Sequence, residues 1–547
     1  MENNLELLNK DLITGLSYQL KEREIPIQIP DKIIFELPER IMVLGNNKLL
    51  RSTIDYFIDL MIKNEEYKGR IIHIELEDSR TIEDFSKQDY LFTLWSVGLK
   101  NNSPEERWDL ISSISRVIPL EKWNDIIEYA IKPDLEVIIT HFPSSFQLFG
   151  IDDSIRNKPP NTYVGVLTSI LYERYRRYKS KEHNLSIISL NPLFKGKKTL
   201  RDLILEAGKK WYLGEPFLSW IRLKNSFYDS ILDKIDIGEL DEDEKIGIYK
   251  KLNYEDRFIT ITENYYKWII SKNNTKKQFP LPLKSINHEF TEKIDIFHTL
   301  KTWFDALLVA FIPLAYLSGY DKPNDALMDI IINEFFEKFL FNTIRRFIDL
   351  SEDKILEWER MTINRLKNPY NKRTLTDMSK NLIQKFRENF LFKMIDLYEK
   401  EKKLPDYIFF ILATLLKYYN VFEENGKYIG IREAYKEELS LNNMEDLLTK
   451  KNEQFDEETH VMDESQIYII DDRPEVLKEF SSVWKNVKID DIKSIKIFLG
   501  YILTQKNIWG MDLTLWPNLL DRTAYYLEKL LHEDIGKITS ELLLGIE

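Results

Sequence analysis

At 547 residues the chain is long enough for two to four domains, and its 43% hydrophobic and 13% aromatic content excludes a generally disordered chain. A net charge of −13 makes nucleic acid and anionic membrane surfaces poor partners, and the lack of any cysteine excludes disulfides, thiolate metal sites and cysteine nucleophiles. The opening Met1-Glu2-Asn3-Asn4 lacks the pattern of a secretory signal, and the longest apolar runs, Ala306 to Leu317 and Tyr407 to Leu416, fall short of the ~18 residues of a membrane span, so a cytoplasmic protein without a membrane partner is expected.

Leu5, Leu7, Leu8, Leu12 and Ile13 are spaced as one amphipathic helix within an N-terminal extension, residues 1–30, that closes on Pro26 and Pro30. Arg40-Ile41-Met42-Val43-Leu44, Arg70 to Ile74, Glu136 to Ile139 and Leu185 to Leu190 are short apolar runs rich in β-branched residues. Each neighbours a longer helical pattern, and the first ends at Gly45. Strands alternating with helices predict a largely parallel α/β sheet, covered on both faces, over residues 31–285. From 286 to 547 long helical periodicities take over, at His298–Tyr316, Asp325–Leu350, Thr374–Glu401 and Ile408–Tyr419, and predict an all-α C-terminal domain. Its acidic stretch at about 452–474, Glu453 to Asp472, reads as a solvated excursion between helices.

The run Pro38-Glu39-Arg40-Ile41-Met42-Val43-Leu44-Gly45-Asn46-Asn47-Lys48-Leu49-Leu50-Arg51 resembles the opening of the tagaturonate reductases (altronate oxidoreductases) of the long-chain mannitol dehydrogenase family, roughly P-E-R-I-x-Q-F-G-E-G-N-F-L-R-A-F there. Further matches follow in order. Asn225-Ser226-Phe227 with Leu232-Asp233-Lys234-Ile235 is similar to N-S-F…V-D-R-I, and Ala315-Tyr316-Leu317-Ser318-Gly319 to A-Y-L-S-G. Asn368-Pro369-Tyr370, then Asn381 and Lys385-Phe386, resemble N-P-[FY] and L-N-x-x-x-K-F. Trp509-Gly510, Asp512-Leu513, Pro517 and Leu519 resemble the closing W-G-x-D-L…P-G-L. The resemblance implies a Rossmann-like N-terminal domain, a helical C-terminal domain and a site in the cleft between them. There the family reduces a keto sugar acid with NADH and no metal.

What that implies for this chain's residues can be followed motif by motif. A nucleotide turn needs glycine so that the backbone can approach a pyrophosphate at a helix N-terminus. Gly45 keeps this, Asn47 stands for the second glycine with a side chain in space the phosphates would need, and Gly45 with Arg51 reads either as a cofactor cradle or as a plain turn glycine. Asn tolerates left-handed backbone. Glu75, Glu77 and Asp78 can bond a ribose hydroxyl or form a solvated acidic loop. The family's S-N-T-T-E-A-G matches Thr140-His141-Phe142-Pro143-Ser144-Ser145, so His141 is the cofactor-facing candidate there, with a structural histidine as the plain reading. The family's P-C-E-L-I meets Leu190-Asn191-Pro192-Leu193-Phe194, which lacks the carboxylate.

Catalysis is assigned in the family to K-x-x-x-x-N-x-x-H on one helix, which delivers a proton and stabilises the alkoxide left by hydride transfer. Phe297-His298-Thr299-Leu300-Lys301 resembles Y-H-E-R-K and makes Lys301 the acid/base, whereas an ungapped alignment puts Leu300 there; the two differ by ~100° of helix rotation. Either way Asp305 replaces the asparagine and Leu308 the histidine. Lys301 can equally pair with Asp305 at i, i+4. Asn225, Asn381, Lys385 and Arg373 remain as ligands for a small anionic sugar acid. Two readings stay open: a family member whose catalysis is impaired or lost, and an active NAD-dependent oxidoreductase with drifted motifs. The sequence names no protein partner.

Overall fold

Strands buried on both faces are written as continuous β-branched runs rather than alternating ones, and four such runs build the centre of this molecule. The computed structural model describes residues 5–13, 15–16, 27–77, 79–100, 103–142, 147–148, 150, 153–179, 183–190, 198–272, 278–344, 346, 350–432 and 467–545. The chain divides into two compact units, Met1–His298 and Thr299–Glu547.

In the first unit the strands are β1 (Ile27–Gln28), β2 (Glu39–Leu44), β3 (Arg70–Glu75), β4 (Phe92–Lys100), β5 (Ser103–Ile111), β6 (Ile114–Pro119), β7 (Val137–Thr140), β8 (Ser186–Ser189), β9 (Ser226–Asp233), β10 (Thr260–Glu263), β11 (Lys267–Ser271) and β12 (His288–Thr291). The main sheet has the order β12-β11-β9-β8-β7-β2-β3-β6. From β6 to β9 all neighbours are parallel, and β11 runs antiparallel to β9. The order reverses between β2 and β7, the switch point beside which open α/β sheets bind ligands. Alternate residues of β2 serve two cores: Ile41 and Val43 pack with Ile54, Phe57 and Ile71, while Met42 and Leu44 pack with Ile126, Leu167 and Ile170.

A four-stranded sheet, β1-β5-β4-β10, adds to this frame and was not expected. Trp95 and Trp108 lie opposite each other across its antiparallel β4–β5 pair, with ring centroids 4.9 Å apart. The presumed extension is part of the unit: β1 pairs with β5, Leu8 and Leu16 are fully buried, and Leu8 N–H donates to Glu255 C=O at 2.9 Å. Helical backbone begins there at Lys10 rather than Leu5.

The helix Tyr163–Tyr178 opens on a Thr162 cap that accepts from Gly165 N–H at 3.1 Å, and it carries the fully buried Arg174. The Arg174 guanidinium donates to four carbonyls: Ala130 at 2.7 Å, Lys132 at 2.8 Å, Leu135 at 2.9 Å and His183 at 3.0 Å. Burial lowers its pKa to about 10. It thereby ties off the end of the helix Trp123–Ala130, where a cation complements the helix dipole.

The boundary falls at His298/Thr299, inside the helix Ile294–Leu317, so β12 belongs to the sheet and not, as expected, to the helical part. That helix is long and apolar enough to cross a membrane by length and composition, yet 72% of its most apolar window is buried in the protein, as in a core helix. The second unit is helical, with Ile330–Ile344, Glu352–Leu366, Asp406–Tyr418, Pro474–Trp484, Ile492–Ile502 and Leu519–His532 among its helices. It is not all-α. Strands β13 (Val421–Glu424), β14 (Lys427–Ile431) and β15 (Ile467–Ile469) form an antiparallel sheet, closed at one end by Asn425-Gly426 with φ of +50° and +75°. The acidic stretch is also not wholly solvated: it ends in β15 and the buried Asp472. Glu453 and the other residues up to 466 lie outside the described residues.

Candidate active site

The end of β2 and the start of the next helix form a tight turn at the switch point. Only Gly45 has a backbone that disfavours a side chain (φ +121°), and an added Cβ would sit 3.1 Å from Leu50 Cδ1. Asn47 is not left-handed. At φ −137° it caps the helix, its Oδ1 accepting from Leu50 N–H at 3.1 Å. Its amide donates to His141 Nδ1 at 3.2 Å, which leaves the proton of a neutral His141 ring on Nε2. Gly45, Asn47 and His141 therefore meet across the switch point.

Three consecutive residues of β3 hold this turn from below. His73 Nδ1 lies 2.6 Å from Gly45 C=O, Ile74 C=O accepts from Gly45 N–H at 3.0 Å, and Glu75 Oε2 accepts from the Asn46 amide at 3.0 Å. His73 Nε2 lies 2.8 Å from Asp55 Oδ1, both side chains fully buried. His73 and Asp55 were not expected from the sequence. Glu75 is buried, so the solvated-loop reading does not describe it; Glu77 is exposed. Asp78, Pro143-Ser144-Ser145 and Asn191-Pro192-Leu193-Phe194 lie outside the described residues.

Arg51 does not join the turn residues in one pocket. One helical turn on, its Nε donates to Thr260 Oγ1 at 3.4 Å. It lines a cavity of about 120 Å³ with Lys48, Lys245 and Arg257, and burial pulls its pKa below the ordinary guanidinium value. Asn225 is at the opposite end of the sheet. It precedes β9, where its Oδ1 accepts from Leu185 N–H at 2.9 Å and its amide donates to Trp220 C=O at 3.0 Å. Both ends of this buried amide are committed to backbone, so Asn225 is a structural tie rather than a ligand for a sugar acid.

On the helix Ile294–Leu317, Leu300, Trp303, Ala306 and Leu307 are buried, whereas Lys301 is exposed and Asp305 and Leu308 are half-buried. Steps of four and three residues put Lys301, Asp305 and Leu308 within an arc of roughly 60° on one helix face. The burial pattern thus turns Lys301, not Leu300, outward. An ammonium there can give a proton, but a carboxylate and an isobutyl group flank it where an amide and an imidazole would serve an alkoxide.

Within the helical unit, Arg373 and Asp472 both lie near Lys385, and Asn381 is bonded to the neighbouring Asp471. Asn381 has φ +53°, and its N–H donates to Asp471 C=O at 2.9 Å. Lys385 Nζ donates to Met378 C=O at 3.0 Å. Burial first, then the nearby Arg373 and Lys380, lower its pKa, against the pull of Asp472. Asp472 accepts from Ile383 N–H at 3.1 Å and Arg473 N–H at 2.7 Å, and from the Tyr419 hydroxyl. Such a group of cations suits a carboxylate or phosphate ligand.

The family model described as the mannitol dehydrogenase Rossmann domain matches residues 39–282, and the one described as the mannitol dehydrogenase C-terminal domain matches residues 309–488. Altronate oxidoreductase of Halalkalibacterium halodurans is 25% identical over 519 residues, covering 93% of this chain and 94% of that protein. Altronate oxidoreductase of Bacillus subtilis is 26% identical over 506 residues, covering 91% and 94%. The fold is that of Pseudomonas fluorescens mannitol 2-dehydrogenase, solved as a ternary complex with NAD and D-mannitol (TM-score 0.69, 15% identity, 98% of this chain and 99% of that one). A substrate-free D-sorbitol dehydrogenase is similar to the same degree (TM-score 0.68, 14% identity, 97% and 99%).

Proposed function

The chain belongs to the mannitol dehydrogenase family, and we propose that it keeps the family's frame for binding NAD(H) and an anionic sugar acid while its catalysis is impaired or lost. The observation that carries this reading is the outward face of the helix Ile294–Leu317. Leu308 offers neither a proton nor a donor, and the Asp305 carboxylate opposes both a developing alkoxide and a substrate carboxylate. Loss of one acid/base group alone costs ~10²–10⁴-fold in rate.

Binding is supported separately. Gly45 at φ +121°, the helix that starts at Lys48 and the adjacent switch point suit a dinucleotide's pyrophosphate. A bound nicotinamide would supply the hydride. The chain's own part is to hold the turn, offer Lys385 and Arg373 to a carboxylate, and deliver a proton from Lys301. A cytoplasmic setting goes with this reading, in line with a chain that contains no cysteine.

Calorimetric titration with NADH and a tagaturonate reduction assay test the proposal together. NADH is expected to bind, and the double variant Asp305→Asn/Leu308→His to turn over at least tenfold faster than wild type. No binding at millimolar NADH would remove the binding half. A second reading, an active oxidoreductase with Lys301 as acid/base, is favoured by the exposure of Lys301 beside the buried Leu300. Wild-type turnover near the ~10 s⁻¹ typical of enzymes, abolished in Lys301→Ala, would establish it instead.

A further inference from the structure

The contact beneath the glycine turn has a definite protonation requirement. The Gly45 carbonyl can only accept, so His73 Nδ1 must carry a proton to bond it at 2.6 Å. At 2.8 Å, Nε2 then either donates to an ionised Asp55 or accepts from a neutral one, and in both forms the pair holds two protons with no net charge. The buried Asp55 Oδ2 has no hydrogen-bond partner among the described residues, which counts against a charge there. Two cations count for it, the ring at 2.8 Å and the Arg51 guanidinium one helix turn away, and they favour the ionised form.

We propose that His73 is a positioning residue: held as an imidazolium between Asp55 and the Gly45 carbonyl, it fixes the peptide that opens the dinucleotide turn; when it loses a proton, the one that remains stays on Nε2 against the Asp55 carboxylate, Nδ1 no longer donates to Gly45, and the turn is released. The proposal rests on the reading that the turn holds NAD(H). The groups facing the ring are Asp55 and Arg51 on the helix, the Gly45 peptide on β2, and the apolar Val117 opposite it on β6; Asp59, a further helix turn on, is paired with Lys63 at 2.7 Å. Burial lowers the His73 pKa, but the Asp55 charge and the two hydrogen bonds outweigh it, so the net shift is upward from the ordinary 6.5. A raised histidine value means that the contribution is complete below the unfolded pKa and fades as pH rises through the folded one. Order in the turn is therefore lost on the alkaline side.

The test uses the full chain and two readouts. In ¹⁵N spectra of histidine-labelled protein at pH 7, the His73 ring should show both nitrogens protonated and protected from exchange. NADH titrations from pH 6 to 9 should show affinity falling on the alkaline side. In Asp55→Asn that fall should move to lower pH, and His73→Gln should bind about tenfold more weakly, the loss of roughly one hydrogen bond, without the pH dependence. A His73 ring with a single proton at pH 7 overturns the proposal even if both variants fail to fold. So does NADH affinity that neither pH nor His73→Gln changes. Wild type that binds no NADH overturns the dinucleotide reading and the binding half of this proposal, while a doubly protonated ring in that same protein would leave the clamp on Gly45 standing.

Discussion

Replacing Arg174 by methionine should be among the most damaging single changes in the first unit. The stem is largely conserved, but four carbonyls lose their donors together, those of Ala130 and Leu135 in buried bonds and those of Lys132 and His183 in part-buried ones. Each buried acceptor left unsatisfied costs ~1–3 kcal/mol, and water reaches the two part-buried ones. A loss of about 3–5 kcal/mol follows, at or above the upper end of the ~0.5–3 kcal/mol of most substitutions. Arg174→Lys keeps a charge and up to three donors but not the fork, so it should recover about half. Urea unfolding, followed by tryptophan fluorescence and far-UV circular dichroism, measures both variants. An Arg174→Met loss below about 1 kcal/mol, or a lysine variant no better than methionine, would refute the carbonyl-tie argument.

Asn225→Ala should destabilise by ~1–3 kcal/mol through its two lost backbone bonds yet leave sugar-acid binding unchanged; weaker binding at unaltered stability, by calorimetry and thermal melts, would return it to the site. Gly45→Ala forces a side chain onto φ +121°, and NADH titration should show affinity reduced by about tenfold, the effect of ~1–2 kcal/mol of strain. Lys417 donates to Leu530 C=O at 2.7 Å and is pushed down to about 8 by burial, with Asp534 opposing. Because the unfolded lysine titrates at roughly 10.4, the unfolded chain binds more protons between these values, so stability should rise with pH across that window. Denaturant unfolding at about pH 7.5 and 9.5 should show the rise in wild type and its absence in Lys417→Met.

The central strands were legible because β2, β3, β7 and β8 are buried on both faces and so spelled as unbroken apolar runs. Strands β4 and β5 pair at the margin of the unit, where half-exposed residues such as Glu105 and Arg107 interrupt any run. For β13 and β14 a signal existed: Asn425-Gly426 between Val421-Phe422 and Tyr428-Ile429 is a hairpin spelling that the long helices on either side obscured. Gly45 and Asn47 were matched to one family motif and His141 to another; that they meet in space follows from strand ends converging at the switch point, which the motifs do not spell. Asn225 misled because a motif match marks a constrained position without saying whether ligand or backbone constrains it. His73 and Asp55 had no local spelling at all; an interior strand residue and a helix residue 18 positions apart become partners only once the helix packs on the sheet.

The ladder between β14 and β15 sets Ile431 beside Ile467, two residues far apart in the chain. A loop whose two feet are already pinned together adds little when it grows, since the entropy of closing it rises only with the logarithm of its length. A change in the number of residues between Ile431 and Ile467 should therefore cost the pairing of these two strands little.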